Sequence, residues 1–152
     1  MRRLLSRLWS DTHGASVIEF ALFAPVLGMM IMGITDFAMG YAQKLRIEQA
    51  IYRTLEKIAV GTVQSDYQSF KAEAATAAGV SQSAVTINNW LECNEVTSPN
   101  GFNGNCATGE RTARYVSITI ATNYTPEFDY GPWVTDANGN VPISSSSSLR
   151  IQ

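Results

Sequence analysis

An uncharged run near the N-terminus constrains this chain more than any other feature. Residues 20–35 carry no charge, and Asp36 follows them directly. As a helix with a rise of about 1.5 Å per residue, this run would be roughly 24 Å long. With the flanking residues from Ala15 to Ala42, the helix can cross a hydrocarbon core of about 30 Å. The sequence therefore predicts one membrane span over residues 15–42.

The charges before the run predict how this span is oriented. Residues 1–14 form a short leader that contains three arginines and one aspartate, namely Arg2, Arg3, Arg7 and Asp11. Because an excess of arginine stays on the cytoplasmic side, the leader is expected in the cytoplasm and the remainder on the other side of the membrane. We therefore predict a cytoplasmic basic leader over residues 1–14 and an extracytoplasmic domain over residues 43–152.

Two features at the start of the span need an explanation. The small residues Gly14 and Ala15 precede the apolar run, whereas the cleavage site of an ordinary secretory signal follows it. Glu19 places a carboxylate inside the span, which costs about 2.5 to 3.5 kcal/mol on insertion scales and less near the end. Two interpretations remain: cleavage between Gly14 and Ala15, or an uncleaved signal anchor for which Glu19 has no obvious use.

The helical pattern continues beyond the membrane. Apolar residues recur at helical spacing up to Val60, so a single helix over residues 16–60 is predicted. Pro25 should kink this helix. Three glycines either allow another helix to approach or are simply tolerated in a membrane helix; they are Gly28, Gly33 and Gly40.

The exported part is predicted to be a small α+β domain. A second helix should be capped by Ser65 or Asp66 and end at Gly79. Strands are predicted over residues 84–92, 113–125 and 141–151. The run of serines at 144–148 is consistent either with a flexible linker or with a polar edge strand. The expected fold is α+β: a long N-terminal transmembrane helix continues into a stem and packs, with the second helix, on a small antiparallel sheet.

Cys93 and Cys106 flank a turn-rich stretch of the exported part. In an oxidising compartment they should form a disulfide, which would contribute about 3 kcal/mol in the chain-entropy model. A zinc site is not expected, because two thiols without an exported histidine do not complete a tetrahedral ligand set.

Signatures of catalysis or ligand binding are weak. The sole histidine, His13, lies in the leader, so neither a Ser/His/Asp nor a Cys/His site is expected outside the membrane. Asp136, Asn138 and Asn140 have the spacing of calcium ligands, but a turn around Asn138 and Gly139 is the preferred interpretation. Trp90, Trp133 and the aromatics near Tyr130 are expected to pack in the core or on the sheet.

Charge argues against a nucleic acid partner. Eight acids and four bases follow residue 60, so the exported part is mildly acidic. We expect no enzymatic activity, no cofactor, no metal and no small-molecule substrate.

The N-terminal motifs resemble a known family. The run G-A-S-V-I-E-F-A-L-F-A-P-V, followed by G-I-T-D-F, is similar to the start of TadE-like pseudopilins of the tight-adherence (Tad, Flp-type) pilus system. The resemblance implies cleavage by a prepilin peptidase between Gly14 and Ala15 and methylation of the new amine. After this cleavage, Glu19 would be the fifth residue of the mature chain. Phe20 replaces a tyrosine of many Flp-type major pilins, and the chain is longer than those, which favours a minor pilin.

This resemblance implies a protein of the bacterial inner membrane that acts in adhesion and biofilm formation. Its expected partners are the prepilin peptidase, other pilin or pseudopilin subunits and the Tad secretion platform. Glu19 would neutralise the ammonium of Ala15 on its own or a neighbouring subunit. Asp36, at the opposite membrane interface, would either reach water or contact a partner. The alternative is an uncleaved single-pass anchor with an extracytoplasmic ligand-binding or sensor domain.

Overall fold

The computed structural model describes residues 15–61 and 67–152. Within these ranges the elements follow the order helix α1 (Ala15–Val60), helix α2 (Ser69–Ala78), a 3₁₀ turn (Gln82–Ala84) and strands β1 (Val85–Cys93), β2 (Val96–Thr97), β3 (Thr112–Tyr124) and β4 (Val141–Arg150). A long apolar helix, a short second helix and a small antiparallel sheet make an α+β fold, as predicted.

Helix α1 begins one residue before its predicted start and ends where predicted, at Val60. Its 46 residues correspond to a length of about 69 Å. The chain divides into two compact units, of which the first ends at Ala38 and the second comprises Met39–Gln152. The division falls inside α1, so each unit contains part of this helix.

The sheet has the strand order β2-β1-β3-β4, and all neighbouring strands are antiparallel. The central strand β3 pairs Ile118 with Ile87 of β1 and with Ser147 of β4. The serine run therefore forms a polar edge strand, and the linker interpretation is wrong. β2 was not predicted, because its two residues lie within a turn-rich stretch and carry no alternating pattern.

The core of the second unit lies between α1, α2 and one face of the sheet. Alternate residues of β3 are fully buried and face this core, namely Val116, Ile118 and Ile120. From α1, Ile47 and Ile51 enter the same apolar cluster, to which α2 contributes Ala74, Ala75 and Ala78. Small alanine side chains let the short helix approach the other elements closely.

Helix α2 ends as its sequence predicts. Gly79 adopts a left-handed conformation with φ of 72°, and its amide donates to the carbonyl of Thr76. The amide of Val80 donates to the carbonyl of Ala75, so two carbonyls of the last turn are satisfied. At the other end, the N-cap is Gln68. The predicted caps Ser65 and Asp66 lie outside the described residues.

The predicted disulfide between Cys93 and Cys106 is present. Between the two cysteines, Phe102 is buried in the core and its ring meets Tyr67 edge to face at 5.7 Å. Arg114 of β3 donates from Nε to the carbonyl of Phe102 and from Nη2 to that of Gly104, at 3.0 and 2.9 Å. The disulfide loop is therefore attached to the sheet at several points.

The connection between β3 and β4 contains the predicted turn around Asn138 and Gly139. Asp136 organises this turn, because its Oδ1 accepts from the amides of Asn138 and Asn140. The Oδ1 of Asn140 accepts from the hydroxyl of Thr125. The calcium-like spacing thus corresponds to a hydrogen-bonded turn.

Trp90 and Trp133 have different surroundings. Trp90 stacks on Tyr115 with ring centroids 5.3 Å apart, and its Nε1 donates to Glu92, so sheet packing is confirmed for this residue. For Trp133 the prediction was wrong, since its side chain is 95% exposed. The residue lies in a turn of the β3–β4 connection and not on a strand, so no cross-strand neighbour covers its ring.

Candidate functional site

The first unit presents an apolar surface to its surroundings. Its large apolar side chains from Val17 to Phe37 are mostly more than half exposed. The most apolar window of the helix has a mean hydropathy of 2.1, and none of it is buried. By length and composition this N-terminal helix could span a membrane. Side chains of this kind are stable only against lipid or other apolar helices.

Glu19 lies on this apolar surface, near its N-terminal end. Its side chain is exposed, as are those of its neighbours Ile18 and Phe20. Four residues, or about 6 Å along the axis, separate it from Ala15 at the start of the helix. Residues four apart share a face of a helix, so a carboxylate at Glu19 is within reach of a charge at Ala15. Gly14, the other half of the predicted cleavage pair, lies outside the described residues.

The glycines and the proline of α1 have different surroundings. A Cβ added at Gly28 or Gly33 would meet nothing within 4 Å, so both positions expose backbone on the helix surface. Pro25 lies inside the helix, and the predicted kink stays a prediction. Gly40 is different, because a Cβ there would lie 3.3 Å from the ring of Tyr124. This glycine therefore accommodates a side chain of the second unit, to which it belongs.

Asp36 does not reach water, which was one of its two interpretations. Its side chain is 2% exposed, although it follows the uncharged run directly. A partner contact through this carboxylate would require the surroundings of the side chain to open. No local pattern indicates this burial, since an acid at the end of an apolar run normally marks the return to solvent.

Among the described residues, one group of side chains has the spacing of a metal site. Cys93, Cys106 and Glu110 bring ligand atoms within 4.8 Å of one another. Both sulfur atoms are joined in the disulfide, so neither is available as a thiolate ligand. This cluster is therefore explained by the disulfide.

Comparison with known proteins identifies the N-terminal segment. Residues 14–54 match the family model described as TadE-like protein. The match comprises 41 of the 152 residues and contains Ala15, Glu19, the apolar run and the first part of the stem. No curated protein and no solved structure matches the chain. The predicted resemblance is thus confirmed over the segment that carries the candidate site, and it relates that segment to Tad pilus function.

Proposed function

From the TadE-like identity of residues 14–54, we propose that the protein is a pseudopilin or minor pilin that takes part in assembling a Tad (Flp-type) pilus. The observation that carries this proposal is an exposed carboxylate, Glu19, at the start of a long helix whose apolar side chains are exposed. A protein of this kind acts through helix packing and not through catalysis. The TadE-like match likewise points to a structural or assembly role.

Processing supplies the charge that Glu19 would neutralise. Cleavage between Gly14 and Ala15 by a prepilin peptidase leaves a new ammonium at Ala15, at the membrane boundary. An unpaired carboxylate within the apolar region costs about 2.5 to 3.5 kcal/mol, so an ion pair with this ammonium offsets part of that cost. When the ammonium belongs to a neighbouring subunit, the same pair fixes the axial stagger of the two helices.

The exposed apolar residues of α1 allow the helix to exchange lipid for protein neighbours. In the membrane they contact acyl chains, and in a pilus they would contact the corresponding helices of other subunits. Gly28 and Gly33 leave room for such contacts, because a Cβ at either position would meet nothing within 4 Å. The partners we propose are the inner membrane, the prepilin peptidase, other pilin subunits and the Tad secretion platform.

The decisive experiment combines processing with assembly. The mature N-terminus is mapped by intact mass and N-terminal peptides in cells with and without the prepilin peptidase. A chain that starts at Ala15 only when the peptidase is present supports the proposal. A chain that starts at Met1 in both cells overturns it and favours an uncleaved anchor with a ligand-binding or sensor domain.

Glu19→Ala then tests the mechanism. We expect this variant to insert into the membrane normally but to lose pilus assembly, because the ammonium of Ala15 has no counter-charge. Glu56→Ala is the matched control, since Glu56 is an exposed acid of the same helix and lies in its stem. Pili are counted by shear preparation and immunoblotting. Normal piliation of the Glu19→Ala strain would remove the proposed mechanism.

A further inference from the structure

A solvent-exposed apolar group lies in the connection between β3 and β4. Trp133 is 95% exposed and its neighbour Val134 is 53% exposed. Phe128 and Tyr130, earlier in the same connection, are each 39% exposed. The almost fully exposed tryptophan therefore leaves a large apolar area in water, in a connection that carries three other partly exposed aromatic or apolar side chains.

The turn around Trp133 is held by hydrogen bonds. The carbonyl of Gly131 accepts from the amides of Val134 and Thr135, both at 3.2 Å, and from the hydroxyl of Thr135 at 3.0 Å. Gly131 has a φ of 70°, and its own amide donates to Asp129 at 2.8 Å. Trp133 lies between these bonded residues, so its exposure belongs to an ordered turn.

The connection begins beside a residue of α1 near the end of the predicted span, which covers residues 15–42. β3 ends at Tyr124, whose ring is the neighbour that a Cβ on Gly40 would meet at 3.3 Å. Gly40 is the fifth residue after Thr35, the last residue of the uncharged run, which is about 7.5 Å along the helix. The end of β3 therefore packs against α1 close to the C-terminal end of the predicted span.

We propose that the Trp133 turn, residues 131–135, inserts into the headgroup region of the membrane leaflet through which α1 leaves the bilayer. This inference rests on the proposed membrane insertion of α1. Tryptophan favours this region because its ring is apolar and its indole N–H finds polar partners there. The connection contains Glu127, Asp129 and Asp136 and no lysine or arginine, so aromatic burial and not attraction to anionic lipid drives the contact.

Emission of Trp133 in a bilayer tests this proposal. The full chain is reconstituted in nanodiscs that hold one copy each, with lipids brominated close to the headgroup. Subtracting the emission of Trp133→Phe from that of the unsubstituted chain isolates Trp133. Subtracting Trp90→Phe isolates Trp90, the internal control. Trp90 pairs with Tyr115, nine residues before Tyr124 on β3 and about 30 Å away along the strand.

We expect the Trp133 emission to be blue-shifted and to lose most of its intensity in brominated discs, while the Trp90 emission is unchanged. The inference is overturned if brominated lipids do not quench the Trp133 emission and aqueous acrylamide does. Protection from acrylamide only in discs with several copies also overturns it, because the turn would then contact another copy. If the chain does not enter discs at all, the membrane insertion of α1 is overturned, and with it the proposed function. The other results concern the Trp133 turn alone, so the two failures can be told apart.

Discussion

Removing the disulfide provides the most direct test of how the second unit is stabilised. The double variant Cys93→Ser/Cys106→Ser opens a loop with a sequence separation of 13 residues. In the chain-entropy model, closing a loop of this size lowers the entropy of the unfolded chain enough to stabilise the fold by about 2.9 kcal/mol at 25 °C. Both cysteines are only half-buried, so the serines leave little empty volume. The full effect should therefore come from the unfolded state.

The expected consequence is a lower melting temperature. For a unit of this size, a loss of about 3 kcal/mol corresponds to roughly 10 °C. The folded loop should survive at low temperature, because Arg114 still donates to the carbonyls of Phe102 and Gly104. Thermal unfolding is followed in nanodiscs by the emission of Trp90, isolated as the difference from the Trp90→Phe chain; Trp90 lies three residues before Cys93 on β1.

Two controls accompany this variant. Reduction of the unsubstituted chain should reproduce the shift, because it removes the same covalent bond. Ser98→Ala changes the same loop without opening it and should leave the melting temperature almost unchanged, since the hydroxyl accepts a long hydrogen bond from the amide of Asn100, at 3.3 Å. If the double variant has the same melting temperature as the unsubstituted chain, the loop-closure argument is refuted.

Two further substitutions test the core and the attachment of the disulfide loop. Ile118→Ala, at a fully buried position of the central strand, should destabilise the second unit by about 2 to 5 kcal/mol in denaturant titrations, whereas Ser117→Ala on the opposite face should change stability little. Arg114→Lys should cost about 1 to 3 kcal/mol, because an ammonium does not reproduce the fork of donors toward Phe102 and Gly104. Arg111→Lys serves as its control, since the ion pair of Arg111 with Glu95 is highly exposed; equal losses for the two arginines would contradict this reasoning.

Local patterns in the sequence were sufficient for most of the fold. The uncharged run and the helical spacing that follows it predicted α1 to within one residue, because helix periodicity depends only on near neighbours. Alternation along the chain likewise places Val116, Ile118 and Ile120 on one face of β3, and this is the face that the structure buries. Gly79 is also a local signal, because glycine readily adopts the left-handed conformation that ends a helix. The two cysteines are a local signal of a disulfide-closed loop.

The motif around Ala15 and Glu19 likewise indicated the TadE-like segment through its residues alone, and the family model confirmed it. A motif of this kind can be recognised because its residues lie close together in the sequence. The role proposed for Glu19 remains a prediction for the experiments above.

Other properties depended on residues that are distant in sequence. The serine strand could be distinguished from a linker only by its pairing with β3, and the close approach at Gly40 required Tyr124, which is 84 positions later. The exposure of Trp133 reversed an expectation drawn from residue type, and the burial of Asp36 argues against one of the two interpretations that its sequence position left open. Burial is set by which segments meet in three dimensions. The sequence alone therefore determined the elements and which residues share a face of a strand, while the tertiary structure decided which side chains are covered.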